Sequence, residues 1–130
     1  MGKYNNENIS QLTEKVIGAA IEVHKHLGPG LLESAYEQCL AYEMSKRGIV
    51  FKKQVEVPVA YKEVLIDCAY RMDIVVEDLL VLELKAIESA LPIHKAQLLT
   101  YMRLAKLQYG LLINFNVRVL KNGIQRFVQD

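Results

Sequence analysis

Hydrophobic residues recur at helical spacing in three stretches of the chain. The first stretch runs from about Ser10 to Leu27 and ends at the Gly28-Pro29-Gly30 breaker. The second runs from Leu31 to about Arg47, where Gly48 ends it. The third begins at Pro92, because proline is tolerated in the first turn of a helix, and runs to about Leu107. The pattern therefore predicts three helices.

Between the second and third helices, hydrophobic residues alternate with polar ones, which is typical of strands. The strands predicted there are Phe51–Val59, Val64–Cys68, Arg71–Val76 and Leu79–Ala86. After the third helix, Gly110–Phe115 is predicted as a buried strand, and Val117–Val128 supplies a last strand broken near Asn122-Gly123. The order ααββββαββ indicates an α+β fold with a mixed sheet flanked by helices, since the third helix allows a right-handed crossover to a parallel strand.

Length and composition indicate a single domain spanning residues 1–130, with a hydrophobic fraction of 52% that is ordinary for a globular protein. The apolar runs are too short to cross a bilayer, and the first ten residues contain no signal-peptide core. Cys39 and Cys68 lack metal-ligand spacing, and disulfides are not expected without a secretion signal. We therefore expect a cytoplasmic protein that has no membrane partner.

Charge gives only local clues about partners. The net charge of +1 provides no overall basic field to attract nucleic acid, so such binding would need a local patch. Two groups of basic residues come closest to one: Lys46, Arg47, Lys52 and Lys53, and then Arg118, Lys121 and Arg126. Taken alone, each group fits scattered solvated side chains better than a binding site.

The predicted hairpin around Asp78 separates apolar from charged residues in one register. Symmetric pairing about Asp78 places apolar residues opposite each other: Met72 and Leu84, Ile74 and Leu82, Val76 and Leu80. The other face then carries Asp73 across from Glu83, with Val75 across from Val81 and Lys85 next along. A slip of one residue would destroy this sorting, so we expect the register to hold, with an odd-length loop or a bulge at the turn.

Two carboxylates opposite each other on antiparallel strands repel, and a divalent cation between them removes that repulsion. Mg²⁺ favours sites with one or two carboxylates completed by water and phosphate oxygens. Lys85 would lie beside the ion, where an ammonium group can stabilise charge on a phosphate or help deprotonate a water. A salt bridge between Lys85 and either acid on an exposed face remains an alternative that the spacing does not exclude.

Two helices offer further polar residues. Glu33 lies in the first turn of the second helix with Tyr36 on the same side, although an acid there also fits simple interaction with the helix dipole. Gln97 and Tyr101 share a face of the third helix, just after the strand that ends near Lys85. For Gln97 the alternative is an ordinary polar surface position.

Four segments together resemble one known family. They are GLLESAY at residues 30–36, RMDIVVEDLLVLELKA at residues 71–86, AQLLTY at residues 96–101 and GLLINFN at residues 110–116. The chain from about Leu12 to Phe127 resembles the GxxExxY proteins of the PD-(D/E)XK nuclease superfamily, which have a restriction-endonuclease-like fold. Met72 stands where a proline gives the superfamily its name, and that proline is often absent.

The resemblance implies roles for the matching residues. Asp73 corresponds to the metal-binding aspartate, and Glu83 with Lys85 forms the (D/E)XK pair. Glu33 corresponds to the acid on the first core helix, which can act as metal ligand or catalytic group, and Gln97 to a polar catalytic residue supported by Tyr101 and Tyr36. The implied activity is Mg²⁺-dependent hydrolysis of phosphodiester bonds, with Mn²⁺ as a possible substitute.

The implied partner is nucleic acid, with DNA favoured over RNA, and a homodimer or a partner protein would supply specificity. Residues 1–9 are expected to form a flexible N-terminal segment ahead of the nuclease-like domain. The alternative function is a module that binds nucleic acid or protein and keeps the nuclease fold without turnover. The near-neutral charge favours this alternative, whereas the intact acids and lysine favour the nuclease.

Overall fold

The computed structural model describes residues 6–129. Its helices are α1 (Asn6–Leu27), α2 (Glu33–Lys46) and α3 (Pro92–Ala105), close to the three that the sequence predicts. Residues 6–9 form the first turn of α1, while residues 1–5 of the predicted N-terminal segment lie outside the described residues. Gly28 ends α1 with a φ of 67°, a left-handed conformation that glycine adopts without a steric cost.

Five of the seven described strands form one sheet, in the order β1-β4-β5-β6-β7. The strands are β1 (Phe51–Glu56), β2 (Val59–Tyr61), β3 (Val64–Ile66), β4 (Arg71–Val76), β5 (Leu80–Lys85), β6 (Tyr109–Asn114) and β7 (Ile124–Val128). β5 and β6 run parallel, with α3 as the crossover, and the other neighbours run antiparallel. This confirms the predicted α+β class and the mixed sheet.

The strands differ from the prediction in two places. Of the predicted last strand Val117–Val128, only Ile124–Val128 is a strand, because Leu120–Gly123 forms a 3-10 helix. The predicted strand Phe51–Val59 divides at Pro58, so that β2 and β3 form a separate two-stranded hairpin and five strands precede α3. Val57 is buried and its N–H donates to the Tyr70 carbonyl at 3.0 Å, but Pro58 has no N–H to continue a ladder. The chain therefore leaves the sheet at Pro58 and rejoins it at Arg71.

Helices cover both faces of the sheet. On one face, α1 and α2 bury their side chains against residues such as Ile74, Leu82, Leu84 and Ile113. On the other face, α3 packs against residues that alternate with these, such as Val75, Val81 and Leu112. Gly110 allows α3 to come close to β6, because a Cβ atom there would lie 2.7 Å from the Met102 sulfur. The three central strands, β4, β5 and β6, are thus buried between two helical layers, while the edge strands are more exposed.

Within residues 6–129, every helix is too short or too polar to cross the membrane.

Candidate active site

The β4–β5 hairpin has the predicted register next to its turn. Its cross-strand pairs are Val76–Leu80, Val75–Val81 and Ile74–Leu82. The loop of Glu77, Asp78 and Leu79 has an odd number of residues, as the symmetric register requires. Glu77 and Asp78 both have positive φ, and the Leu79 N–H donates to the Val76 carbonyl at 2.9 Å. This tight turn fixes which residues of the two strands face each other.

Farther from the turn, side-chain carboxylates instead of backbone carbonyls accept the hydrogen bonds between the two strands. The Leu84 N–H donates to Asp73 Oδ2 at 2.8 Å, and the Asp73 N–H donates to Glu83 Oε1 at 3.3 Å. Each carboxylate therefore accepts a hydrogen bond from the backbone of the opposite strand. The two acids are held at the same level of the sheet, as the register predicts, and Glu83 is only 5% exposed.

The predicted placement of Met72 on the same face as Ile74, Leu82 and Leu84 is wrong. Met72 is fully buried, but it packs with Val75 on the α3 side of the sheet. The regular ladder of β4 and β5 ends at Ile74, and the Asp73 side chain occupies a backbone donor of β5 beyond that point. Strict alternation of faces therefore does not continue through Asp73 to Met72.

The environment of the two acids disfavours their charged forms. Burial raises the pKa of Asp73 to about 6, and the charges of Glu37 and Glu33 add to this, whereas the Leu84 N–H and Lys85 lower it. Burial also raises the pKa of Glu83 to about 7, and the charge of Asp73 is the next largest cause. The hydrogen bonds in the sheet and Lys85 offset only part of this penalty. The site thus holds two carboxyls whose joint ionisation is unfavourable.

Lys85 is the last residue of β5, two residues after Glu83, and its positive charge lowers the pKa of Asp73 and of Glu83. Its carbonyl accepts the Phe115 N–H at 2.8 Å, which fixes the backbone at this position. Asp73, Glu83 and Lys85, the three residues of the predicted motif, therefore interact electrostatically. The predicted alternative of a salt bridge is not formed, because Lys85 takes part in none of the ion pairs found among residues 6–129.

Asn114 holds the chain just after Lys85, and sequence reasoning missed it. It is buried at the end of β6, directly beside Lys85 in the parallel pair. Asn114 Oδ1 accepts the Ile87 N–H at 3.1 Å, and its Nδ2 donates to the Ile87 carbonyl at 2.9 Å. The only signal in the sequence is a polar residue that follows a buried strand, in GLLINFN.

Two acids of α2, Glu37 as well as the predicted Glu33, act on the Asp73–Glu83 pair. Glu33, at the exposed start of α2, acts on both Asp73 and Glu83, and Glu37 acts on Asp73. The two carboxylate oxygens of Glu37 accept hydrogen bonds from Gln54 Nε2 at 3.0 and 3.2 Å. Glu37 lies four residues after Glu33, on the same face of the helix, and this spacing could have identified it.

Gln97 and Tyr101 bring α3 to the same site. They are four residues apart on α3, and their side chains are hydrogen-bonded to each other. Tyr101 is 7% exposed, and burial, then Glu83, Tyr70 and Asp73, raise the pKa of its phenol. The predicted face of α3 therefore lies against the carboxylates.

Tyr36 is positioned differently from the other predicted residues. It is fully buried, and its ring stacks on Phe115 with centroids 4.5 Å apart. Its hydroxyl donates to the Gly28 carbonyl at 2.5 Å and accepts the Leu31 N–H at 3.2 Å. These contacts close the turn that leads into α2, so Tyr36 supports the position of Glu33 rather than facing the acids.

Asp73 and Glu83 can supply the one or two carboxylates that Mg²⁺ typically takes from a protein, with water for its other positions. Their raised pKa values fit a site that gains from a cation. Across residues 6–129, no three His, Cys, Asp or Glu side chains are grouped closely enough to hold a metal. Glu33, Asp73 and Glu83 do not form such a group of three in this structure.

Comparison with known proteins agrees with this geometry. A family profile described as the PD-(D/E)XK nuclease superfamily matches residues 10–127. No curated protein and no solved structure matches the chain significantly. Three helices, a mixed five-stranded sheet and the paired acids followed by Lys85 fit the restriction-endonuclease-like fold of that superfamily. With nearly its whole length matched, the chain belongs to the PD-(D/E)XK nuclease superfamily.

Proposed function

We propose that this protein is a metal-dependent nuclease that hydrolyses phosphodiester bonds of nucleic acid, and within the superfamily a member of the GxxExxY group. The main supporting observation is the pair of carboxylates of Asp73 and Glu83, each of which accepts a backbone N–H from the opposite strand, with Lys85 two residues after Glu83. Two carboxyls with raised pKa values are costly in a folded protein, and perturbed groups of this kind concentrate at functional sites. A cation bound between them would offset that cost.

In this proposal Asp73 and Glu83 hold Mg²⁺, for which Mn²⁺ can substitute. The ion supplies Lewis acidity towards a phosphate oxygen and lowers the pKa of a bound water. Asp73 and Glu83 suit the task, because the backbone N–H groups of Leu84 and Asp73 fix one oxygen of each. The remaining oxygens are available to the ion. Glu33, which the structure leaves exposed, contributes through a water molecule.

Lys85 is proposed to act on the reacting water or phosphate rather than on the ion. Its positive charge acts on both acids, and an ammonium group here can stabilise charge that develops on a phosphate. Gln97 is proposed to orient a substrate phosphate at the rim of the site, while Tyr101 holds the Gln97 amide. Asn114 supports this end of the sheet by tying Ile87 to β6.

DNA is the favoured substrate in this proposal, and a homodimer or a partner protein would supply sequence specificity. The chain has a net charge of +1, so its overall electrostatic attraction for a duplex is weak. The same observation favours a second candidate function, a binding module that keeps the fold without turnover. The two functions differ in what happens to the phosphodiester bond.

The test is a cleavage screen over single- and double-stranded DNA and RNA with Mg²⁺ or Mn²⁺, with a melting curve for each metal. A metal that binds the native state raises the melting temperature. We expect Lys85→Ala to lose roughly 10²–10³ in rate, the typical effect of losing one charge-stabilising group, while it still binds metal. We expect Glu83→Ala to lose both cleavage and metal binding, because it removes a proposed ligand.

The possible results separate the two functions. Wild-type protein that binds Mg²⁺ and nucleic acid but cuts neither DNA nor RNA would support the binding module. Cleavage by Lys85→Ala at the wild-type rate would place the catalytic centre elsewhere.

A further inference from the structure

Tyr70 lies where the β2–β3 hairpin returns to the main sheet, directly before β4. Its carbonyl accepts two hydrogen bonds at 3.0 Å, one from the Val57 N–H and one from Arg71 Nη1. These bonds fix the backbone of Tyr70 between a buried residue and the start of the strand that carries Asp73. The ring has no comparable cover, because 44% of the residue is exposed.

Tyr101 connects the Tyr70 ring to the carboxylates. The two rings are tilted by 46°, with their centroids 5.8 Å apart. Tyr101 is buried in one cluster with Met72, which directly precedes Asp73, and Val81, which lies two residues before Glu83. The exposed face of Tyr70 therefore lies at the rim of the carboxylate site, on the side formed by α3.

An exposed aromatic ring that contacts Tyr101 beside a proposed phosphodiester site suits a ligand with flat π-faces. Nucleobases have such faces, and stacking of one base on an aromatic side chain changes affinity by roughly five- to one-hundredfold. Within a duplex each base face is covered by the next base pair, so only an unpaired or extruded base can stack on a protein ring. The ligand chemistry that fits Tyr70 is thus an unpaired nucleotide.

We propose that Tyr70 binds an unpaired nucleobase next to the phosphate held at Asp73 and Glu83, which makes single-stranded or frayed nucleic acid the substrate. This inference rests on the proposed nuclease function and names its substrate class. Stacking also suits a chain with a net charge of +1, because stacking does not depend on the release of counterions by many basic residues.

A second copy of the chain is the competing occupant of this region. The β2–β3 hairpin also exposes apolar side chains, among them Val64 and Leu65, at 52% and 73%. These lie on the hairpin itself, whereas Tyr70 contacts the residue that lines the carboxylate site. That contact favours nucleic acid as the ligand of Tyr70, and the experiment below distinguishes the two occupants.

The test compares Tyr70→Ala with Tyr70→Phe, which keeps the stacking ring. Tyr61→Ala is the matched control, because Tyr61 is an exposed tyrosine of the same hairpin whose ring lies beside Lys62 rather than Tyr101. Binding is measured in Mg²⁺ in a Lys85→Ala background that limits cleavage. The probes are one DNA sequence as a single strand and as a blunt duplex, each carrying 2-aminopurine.

We expect Tyr70→Ala to weaken single-strand binding by roughly five- to one-hundredfold and duplex binding by less than about twofold. Tyr70→Phe and Tyr61→Ala should stay within about twofold of the background protein for both probes. Stacking should quench 2-aminopurine fluorescence with Tyr or Phe at position 70 and not with Ala. Sedimentation of each variant reports whether its oligomeric state changes.

Equal losses for single strand and duplex, or no loss in Tyr70→Ala, would overturn the inference. A change from dimer to monomer in Tyr70→Ala, with both probes affected alike, would assign the surface to a second copy instead. If protein with intact Lys85 cuts duplex and single strand equally, and Tyr70→Ala leaves that ratio unchanged, the inference fails while the nuclease function stands. If the protein neither binds nor cuts any probe, both proposals fail.

Discussion

The β4–β5 hairpin differs between its two ends. At the turn end, pairs such as Val75–Val81 and Val76–Leu80 join the strands through a regular ladder between buried apolar side chains. At the other end, Asp73 and Glu83 accept the backbone hydrogen bonds, and burial raises the pKa of both. One end stabilises the fold, and the other holds charges that the fold disfavours. The same pair of strands thus provides a rigid base and a reactive site.

The largest effect is expected when the regular end is damaged. Leu82 is fully buried in the cluster that α1 and α2 cover, so Leu82→Ala removes apolar contacts and leaves a cavity. We expect a loss of about 2–5 kcal/mol in the free energy of unfolding, measured by urea denaturation. Leu65→Ala is the control, because Leu65 is 73% exposed and should change stability by no more than about 0.5 kcal/mol.

The carboxylate end should make stability depend on pH. The Asp73 and Glu83 carboxyls have ordinary pKa values of 3.8 and 4.5 and folded values of about 6 and about 7. An acid with a raised pKa contributes stability that is fully present below its unfolded pKa and is lost as the pH rises through its folded pKa. We therefore expect the metal-free protein to lose stability between about pH 4 and pH 7.

The loss should be on the order of 3 kcal/mol for each carboxyl, because one pKa unit corresponds to about 1.4 kcal/mol. Urea denaturation in EDTA at a series of pH values from 4 to 8 measures it, and saturating Mg²⁺ should recover stability at pH 8. The double variant Asp73→Asn, Glu83→Gln should show a flatter pH profile. An unchanged profile in that variant would mean that other groups cause the dependence.

Asp73→Asn alone should leave the metal-free fold intact or stabilise it by about 1–2 kcal/mol at pH 8, because the variant removes a half-buried charge. Asparagine keeps a carbonyl oxygen that can accept the Leu84 N–H, as Asp73 Oδ2 does. The same change should abolish the rise in melting temperature with Mg²⁺. A loss of more than about 2 kcal/mol without metal would instead indicate that the Asp73 charge stabilises the fold.

The difference between the two ends also explains what the sequence could predict. Alternating polarity fixed the pairs from Ile74–Leu82 to the turn, and it placed Asp73, Glu83 and Lys85 together. The same alternation failed at Met72, because a side chain interrupts the ladder at Asp73. Periodicity describes a regular strand and contains no information about hydrogen bonds that side chains make across it.

Other features of the site depend on contacts between distant segments. Asn114 reaches Ile87, and Gln54 reaches Glu37, across separations that no local pattern encodes. Gln54 also has a φ of 52°, although it lies inside β1 opposite Asp73. The strands at residues 59–66 were predicted as part of one mixed sheet, yet they form a separate hairpin whose residues are mostly exposed. Tertiary structure decides each of these cases.

The smallest expected effect is on pKa values, and it distinguishes Glu33 from Glu37, the two acids of α2. Glu37 raises the pKa of Asp73, whereas Glu33 raises that of both Asp73 and Glu83. Glu37→Gln should therefore lower the pKa of Asp73 and leave Glu83 nearly unchanged, and Glu33→Gln should lower both. Carbon-detected NMR titration of the side-chain carboxyls measures these values in the metal-free protein. Stability should change by no more than about 0.5 kcal/mol, because Glu33 is exposed, Glu37 is only partly buried, and glutamine at position 37 can still accept a hydrogen bond from Gln54. If both variants lower the pKa of Asp73 and of Glu83 by the same amount, Glu37 does not act on Asp73 alone. The two carboxyls would then respond to the overall charge of α2 instead of to individual contacts.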